Sequence, residues 1–302
     1  MENKEYDFKK YLKSWKEEKF VENLPEEIYH AEEALSSGQL SAIINPDYGI
    51  HRLFAEKTLG LKKEATEAQS FGSKFHKAVL ERDEFLRRYK VVPEFTGLTK
   101  DGRPSTQSAE AKAKKAAWYA DQPKDAIIVE SAEERDQLSG MLESLLKHKE
   151  AADLLKGGIT ELSGFFNLNG FRCRTRVDIF REDINTIIDL KTTRNAYSQE
   201  FEKQIVKNFY FIQAWLYLAG AIKITKRKNM KFKFIAVEKE PPYLVTVQEI
   251  GESMLTCGDI LANQAMSKLN AAINSGVWLP EPQMTYMAEA PEWMLKKLEG
   301  QV

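Results

Sequence analysis

Cysteine is scarce in this 302-residue chain: Cys173 and Cys257 are its two copies, too few for a disulfide framework or a four-cysteine zinc or iron–sulfur site. Long apolar runs are missing as well. The longest uncharged stretch, Asn208 to Ile222, falls short of the roughly 20 residues that a membrane-spanning helix needs, and Asn208 and Gln213 lie within it. The opening residues, Met1 to Tyr6, contain no apolar segment of the kind found in secretory signals, so a cytoplasmic protein without a membrane partner is expected. There is no excess of charge of one sign, with 44 Lys and Arg against 45 Asp and Glu. This excludes a strongly basic domain, the usual electrostatic footprint of a nucleic-acid binder, and leaves any such role to local patches. Internal repeats and Pro/Ser/Gly-rich linkers are also absent. What remains is a chain that is 43% hydrophobic and 29% charged, enough to bury a full core as one elaborated domain or two.

The hydrophobic pattern divides the chain near Ile159. Before it, helical spacing dominates. Residues 1–34 read as a peripheral helical extension, because Tyr6 to Ala34 is mostly charged with scattered aromatics. A helix across Leu35 to Ile44 has serine cap candidates and stops at Asn45-Pro46, and another begins near Tyr48. Ala68 to Leu86 predicts one helix with Phe71, Phe75 and Val79 on its buried stripe. Residues 93–125 predict a mobile loop carrying an Ala/Lys-rich helix, Ala109 to Ala120, and Ala132 to Leu155 predicts a helix stopped by Gly157-Gly158. From Ile159 the period becomes two. Strands are expected at Thr160–Leu168, Phe171–Phe180 and Asn185–Lys191, the first two joined by an Asn169-Gly170 hairpin turn. A long helix over Ser198–Ala219, strands at Lys231–Val237 and Tyr243–Val247, and a helix over Glu252–Asn274 follow. The pattern specifies an α/β (α+β) fold, a small mixed central sheet flanked by helices across residues 35–280, with a Pro-punctuated tail at 281–302.

The chemistry concentrates on the strands. Asp178 lies on one, and Asp189-Leu190-Lys191 ends the next. Alternation puts Asp189 and Lys191 on one face and Ile188 and Leu190 on the other. Two carboxylates and an ammonium at one sheet edge suit Mg²⁺ or Mn²⁺ and the hydrolysis of phosphodiesters, the lysine orienting the attacking water or offsetting developing charge. An acid two residues before a lysine carries little information alone, since Glu2, Asp7, Glu17 and Glu110 share that spacing. Asp189 differs because it ends the apolar run Ile187-Ile188 and therefore needs either a metal or the lysine as a structural ion-pair partner.

Asp178…Asp189-Leu190-Lys191-Thr192-Thr193 resembles the PD-(D/E)XK nuclease superfamily, and more narrowly the RecE-type exodeoxyribonuclease VIII family of recombination exonucleases. Four further segments carry the likeness. Leu40-Ser41 through Asn45-Pro46 resembles the family's opening helix. Gly72-Ser73-Lys74-Phe75-His76 with Leu80-Glu81 resembles its histidine motif, Glu161 matches a site carboxylate, and Tyr210-Phe211-Ile212-Gln213 with Tyr217 resembles its tyrosine–glutamine helix. The resemblance covers roughly Leu35 to Trp278. It implies a restriction-endonuclease-like core, with Glu161, Asp178, Asp189, Lys191, Gln213 and Tyr217 in the catalytic centre. His76, Glu161, Asp178 and Asp189 would hold Mg²⁺, for which Mn²⁺ substitutes. It further implies a 5′-to-3′ exonuclease on double-stranded DNA ends that leaves 3′ overhangs. A single-strand annealing or recombinase partner, a phage setting and a homo-oligomeric ring, most simply a tetramer, follow from the same resemblance. A non-catalytic DNA-binding recombination scaffold that kept the fold is the alternative reading.

On an unbulged strand Arg172, Arg174 and Arg176 share the face of Asp178 and form a guanidinium row leading to the proposed metal. Tyr210, on the long helix, is expected as a further DNA contact. Lys223, Lys226, Arg227, Lys228, Lys231 and Lys233 make a second basic stretch, read either as a DNA contact or as ordinary solvated surface.

Overall fold

The computed structural model describes residues 6–61, 66–278 and 287–299. A one-turn helix at Phe8–Leu12 precedes strand β1 (Lys19–Val21) and helices α1 (Glu26–Ala31), α2 (Ser37–Ile44), α3 (Gly49–Leu59), α4 (Glu67–Leu80) and α5 (Arg82–Arg88). Short strands β2 (Tyr89–Val91), β3 (Gly97–Leu98) and β4 (Pro104–Ser105), helix α6 (Ala109–Ala120) and strand β5 (Ile127–Val129) follow, then helices α7 (Ala132–Lys147) and α8 (Lys149–Leu154). The central strands are β6 (Ile159–Leu168), β7 (Phe171–Arg181) and β8 (Thr186–Thr193). After them come α9 (Ser198–Lys207), α10 (Tyr210–Thr225), β9 (Lys231–Glu238), β10 (Val245–Glu249), α11 (Glu252–Ser275) and α12 (Glu292–Glu299). Among the described residues no helix is long and apolar enough to cross a membrane.

Six strands form one mixed sheet in the order β1-β6-β7-β8-β9-β10. All neighbours are antiparallel except β8 and β9, which α9 and α10 connect as a parallel crossover. Apolar side chains cover both faces. One layer collects Leu40, Phe166, Val177, Ile212, Leu216, Phe232, Phe234 and Leu269 under α2, α10 and α11, and the other collects Phe75, Met141, Leu145, Ile179, Ile188, Leu190 and Ile235 under α4, α7 and α8. Each large side chain enclosed in this way stabilises the fold by about 1.5–3 kcal/mol. Helix α10 lies close to the sheet because a Cβ on Gly220 would come within 2.4 Å of the Phe166 ring.

Several sequence expectations change in the structure. Residues 6–34 are not a peripheral helical extension. Phe8 and Tyr11 are buried in the main core, and β1 extends the central sheet by pairing with β6. Expected single helices are broken at Glu81, His148 and Asn208-Phe209. His148 ends α7 and caps α8, its Nδ1 accepting from the Ala151 N–H, a side-chain role that helical spacing cannot register. Residues 97–105 form a tight two-strand ladder where a mobile loop was expected, and the expected helix Ala109–Ala120 is present, capped by the buried Ser108 hydroxyl. The tail contains α12, while residues 279–286 and 300–302, with the expected boundary at residue 280, lie outside the described residues.

Candidate active site

The site forms where the central strands part. The β7–β8 ladder runs from Arg181↔Thr186 to Ile179↔Ile188 and stops there, so Asp178 and Asp189 stand on diverging strands. The Asp178 carboxylate fills the opening, with Oδ2 accepting the Leu190 N–H at 2.8 Å. On the other side of β7, the β6 ladder passes over the Glu161–Asp178 step, and Glu161 takes a left-handed backbone with φ of 50°. For a residue with a side chain that conformation costs about 1 kcal/mol or more and persists where the surroundings enforce it. Side-chain alternation therefore fails here, as Val177 belongs to one core layer and Ile179 to the other.

The neighbours of this opening come from three helices. Helix α4 presents His76, whose Nδ1 lies 3.4 Å from Asp178 Oδ2, and passes β8 at Gly72, where a Cβ would meet Thr192 Oγ1 at 3.3 Å. Helix α10 presents Gln213, which donates from Nε2 to Asp189 Oδ1 at 2.6 Å. Its other first-turn residue, Tyr210, places its ring 4.9 Å from Lys191 Nζ. Tyr217, one turn beyond Gln213, belongs to the buried core beside Phe232, and burial pushes its phenol well above its ordinary pKa. Helix α1 brings Glu26 to 3.9 Å from Lys77. Both α10 contacts depend on the break at Phe209, whose left-handed φ of 55° lets α10 start in a new direction after α9.

Asp189 is almost fully enclosed, at 1% exposure. Its Oδ2 makes no well-directed hydrogen bond and rests 2.5 Å from Lys191 Nζ as an ion pair. Burial pushes the Asp189 carboxyl up to about 6, against the lowering effect of Lys191 and together with the raising effect of Asp178. For Lys191, burial would favour the neutral amine, but the carboxylates of Asp189 and Asp178 more than offset it and hold the ammonium above its ordinary value. Burial, with Asp178 next in weight, pushes Glu161 up to about 8, while Arg176, 4.0 Å away, opposes the shift.

Three carboxylates, with Glu161 and Asp189 both raised in pKa by burial and by the charge of Asp178, form an oxygen-rich donor set of the type that a hard divalent cation satisfies. The poorly partnered Oδ2 of Asp189 points to the same fit. Among the described residues no three His, Cys, Asp or Glu side chains are already drawn together at coordinating distance, so a cation would also have to draw Glu161 and Asp178 toward Asp189.

Of the arginine row only Arg176 borders this opening, through Glu161 at 4.0 Å. Arg174, 7% exposed, donates from Nη1 to the Tyr29, His30 and Glu32 carbonyls, and Arg176 donates to Ser163 Oγ at 3.2 Å and the Leu24 carbonyl at 2.8 Å. The Tyr29 ring lies within 4.9 Å of both guanidinium carbons, and Arg172 stacks on Trp15 at 3.5 Å. These three side chains fasten the N-terminal segment to the sheet, which replaces their expected role as DNA contacts. The second basic stretch is also largely occupied. Lys223 meets Glu18 at 3.3 Å, Arg227 meets Glu182 at 2.5 Å, Lys231 meets Glu249 at 3.1 Å and Lys233 meets Glu150 at 2.8 Å. Lys226 and Lys228 stay exposed with no ion pair among the described residues. Helix α1 at the site was not foreseen, since Glu26 and Tyr29 carry no motif and reach it only through the arginine clasp.

The sequence profile of a PDDEXK-like domain of unknown function (DUF3799) matches residues 47–284. The chain belongs to this PDDEXK-like family. In three dimensions it is similar to a "Putative exonuclease" from Eubacterium rectale, with a TM-score of 0.61 at 14% identity over 93% of this chain and 100% of that one. At that identity the likeness shows the fold, and the expected PD-(D/E)XK-type α/β core is the one found. An alkaline exonuclease from Laribacter hongkongensis aligns over 66% of this chain and 90% of its own at 15% identity, with a TM-score of 0.25 that is too low to argue from. No curated protein matches the sequence.

Proposed function

We propose that this PDDEXK-like chain is a divalent-metal-dependent nuclease that hydrolyses DNA phosphodiester bonds. The observation that carries the reading is the convergence of Asp178, Asp189 and Lys191 where β7 and β8 separate, with Asp189 held from the other side by Gln213. Asp178, Asp189 and Glu161 would hold Mg²⁺ or Mn²⁺, with His76 at the rim. When bound, the cation lowers the pKa of water and withdraws charge from the phosphate. The protein's own part is distinct. Lys191 keeps its proton between Asp189 and the Tyr210 ring and so presents a fixed cation to the attacking water or to charge developing on the phosphate. Gln213 fixes one oxygen of Asp189 and leaves the other free to turn from Lys191 toward a metal.

The finer reading is an exonuclease acting 5′ to 3′ on double-stranded ends, assembled as a ring, most simply a tetramer, and supplying 3′ overhangs to an annealing or recombinase protein. It rests on the motif order across Leu35 to Trp278 and on the name of the Eubacterium rectale protein. A DNA-binding scaffold without catalysis would have no use for an enclosed lysine–aspartate pair beside two further acids. Digestion of end-labelled linear and circular duplex, with and without Mg²⁺, tests the reading. Mg²⁺-dependent release of nucleotides from linear duplex alone supports the exonuclease, cutting of circles supports an endonuclease, and binding without cutting supports the scaffold.

A further inference from the structure

We infer that Arg194 and Lys239, at the carboxyl ends of the parallel strands β8 and β9, form a phosphate-binding pair that holds the nucleic-acid strand beside the active site; this rests on the nuclease reading above. The pair is set by topology. Thr193 is in register with Glu238, and the Lys239 N–H donates to the Thr193 carbonyl at 3.0 Å, so the two basic residues leave neighbouring strand ends side by side. Open α/β sheets bind ligands at this end of their parallel strands.

Charge and position together favour these two residues, since the equally unpaired Lys226 and Lys228 precede β9 at the other end of the sheet. Most basic side chains around the sheet have acidic partners, as Lys74, Arg181, Lys223, Arg227, Lys231 and Lys233 do. Arg194 is exposed and has no hydrogen bond or ion pair among the described residues. Lys239 is half-buried, reaches the Ala68 carbonyl at 3.4 Å, lies 5.5 Å above the Phe71 ring, and has no acidic partner among the described residues. The adjoining carboxylate of Glu238 is engaged instead with the Ala196 N–H at 2.9 Å. Burial, and then the like charge of Arg194, lower the Lys239 ammonium below its ordinary pKa. Two cations kept together in this way repel each other, and a bridging phosphate would convert that repulsion into attraction.

The pair is also well placed. Arg194 lies three residues beyond Lys191, about 10 Å along an extended strand. That spans roughly three phosphates at about 3.4 Å of axial rise each.

The test uses the full chain and a blunt, fluorescein-labelled 30-base-pair duplex, with affinity measured across a salt series in Ca²⁺ for wild type, R194Q, K239Q, the double variant and K239R. Wild-type hydrolysis of the same duplex in Mg²⁺ runs in parallel. Each lost phosphate contact should flatten the log–log salt slope by about 0.9, and the double variant by about twice that, with K239R close to wild type. R194Q removes an exposed side chain without partners, so its melting temperature should match wild type and its slope alone decides the case. Unchanged slopes in a protein that binds and cuts DNA overturn the pair and leave the nuclease reading standing. A wild type that neither binds nor cuts overturns both.

Discussion

Glu161 offers a test that reads the crowding of acids directly. In the metal-free fold burial and Asp178 push its carboxyl to about 8, against an ordinary value of 4.5. A carboxyl whose folded pKa exceeds its unfolded one contributes fully below about pH 4.5, and that contribution is lost as pH rises through 8. The gap corresponds to at most about 5 kcal/mol, and since nearly a third of the side chain meets solvent, about 2–5 kcal/mol is the working range. Glu161→Gln keeps the shape and removes the titration. In EDTA the variant should match wild type at pH 5 and melt about 4–10 °C higher at pH 8.5, taking about 2 °C per kcal/mol for a chain of this size. Adding Mg²⁺ or Mn²⁺ at pH 8.5 should then raise the melting temperature of wild type more than that of the variant, because the cation would replace repulsion that the variant no longer has. Thermal unfolding followed by circular dichroism over pH 5–8.5 measures all of this. Parallel curves for the two proteins would mean that Glu161 is not under pressure from Asp178, and the acidic cluster would lose its rationale as a cation site.

Asp189→Ala and Lys191→Ala should each abolish hydrolysis by different routes, with calorimetric Mn²⁺ binding weakened only in the former; nuclease activity retained in both would remove them from the site. Gln213→Ala leaves Asp189 Oδ1 without its donor, so turnover should fall at least tenfold for a stability cost of about 1–3 kcal/mol, and a melting shift with unchanged turnover per folded molecule would make Gln213 a packing residue. Arg174→Ala should cost about 2–4 kcal/mol and expose residues 13–35 to limited proteolysis, because three backbone carbonyls lose a charged donor. Peptide mapping that shows no new cleavage there would refute the clasp.

The central strands were legible because they are dense in apolar and β-branched residues, as strands buried on both faces are, and Asn169-Gly170 marks the hairpin between two of them. Asp178, Asp189 and Lys191 were legible for a related reason: charges that end apolar strands must have an answer nearby. The arginine row misled because alternation names a face and cannot say what covers it. The cover is a segment about 150 residues earlier, held through its carbonyls, which leave no mark on side-chain pattern. The pairing of Lys231 and Lys233 with Glu249 and Glu150 is hidden in the same way, by partners distant in sequence. The break at Phe209 carries neither glycine nor proline, so nothing local announces it. It matters nonetheless, since a straight helix from Ser198 would carry Tyr210 and Gln213 elsewhere.

The placement of β1 has a consequence for how the molecule is made. Its partner strand lies far along the chain, with the Glu18 carboxylate accepting the N–H of Asn167, 149 residues later. As a ribosome delivers the chain from its first residue, Trp15, β1 and Tyr29 emerge with nothing to dock on and must wait until β6 and the arginines of β7 have appeared. Closing so long a loop is slow, and until it closes β6 presents an unpaired edge to any other extended chain. Capture of this earlier segment therefore waits on β6 and β7, and that event also brings α1 to the mouth of the site. Activity should consequently be gained in step with protection of residues 6–35 and not with formation of the central hairpin.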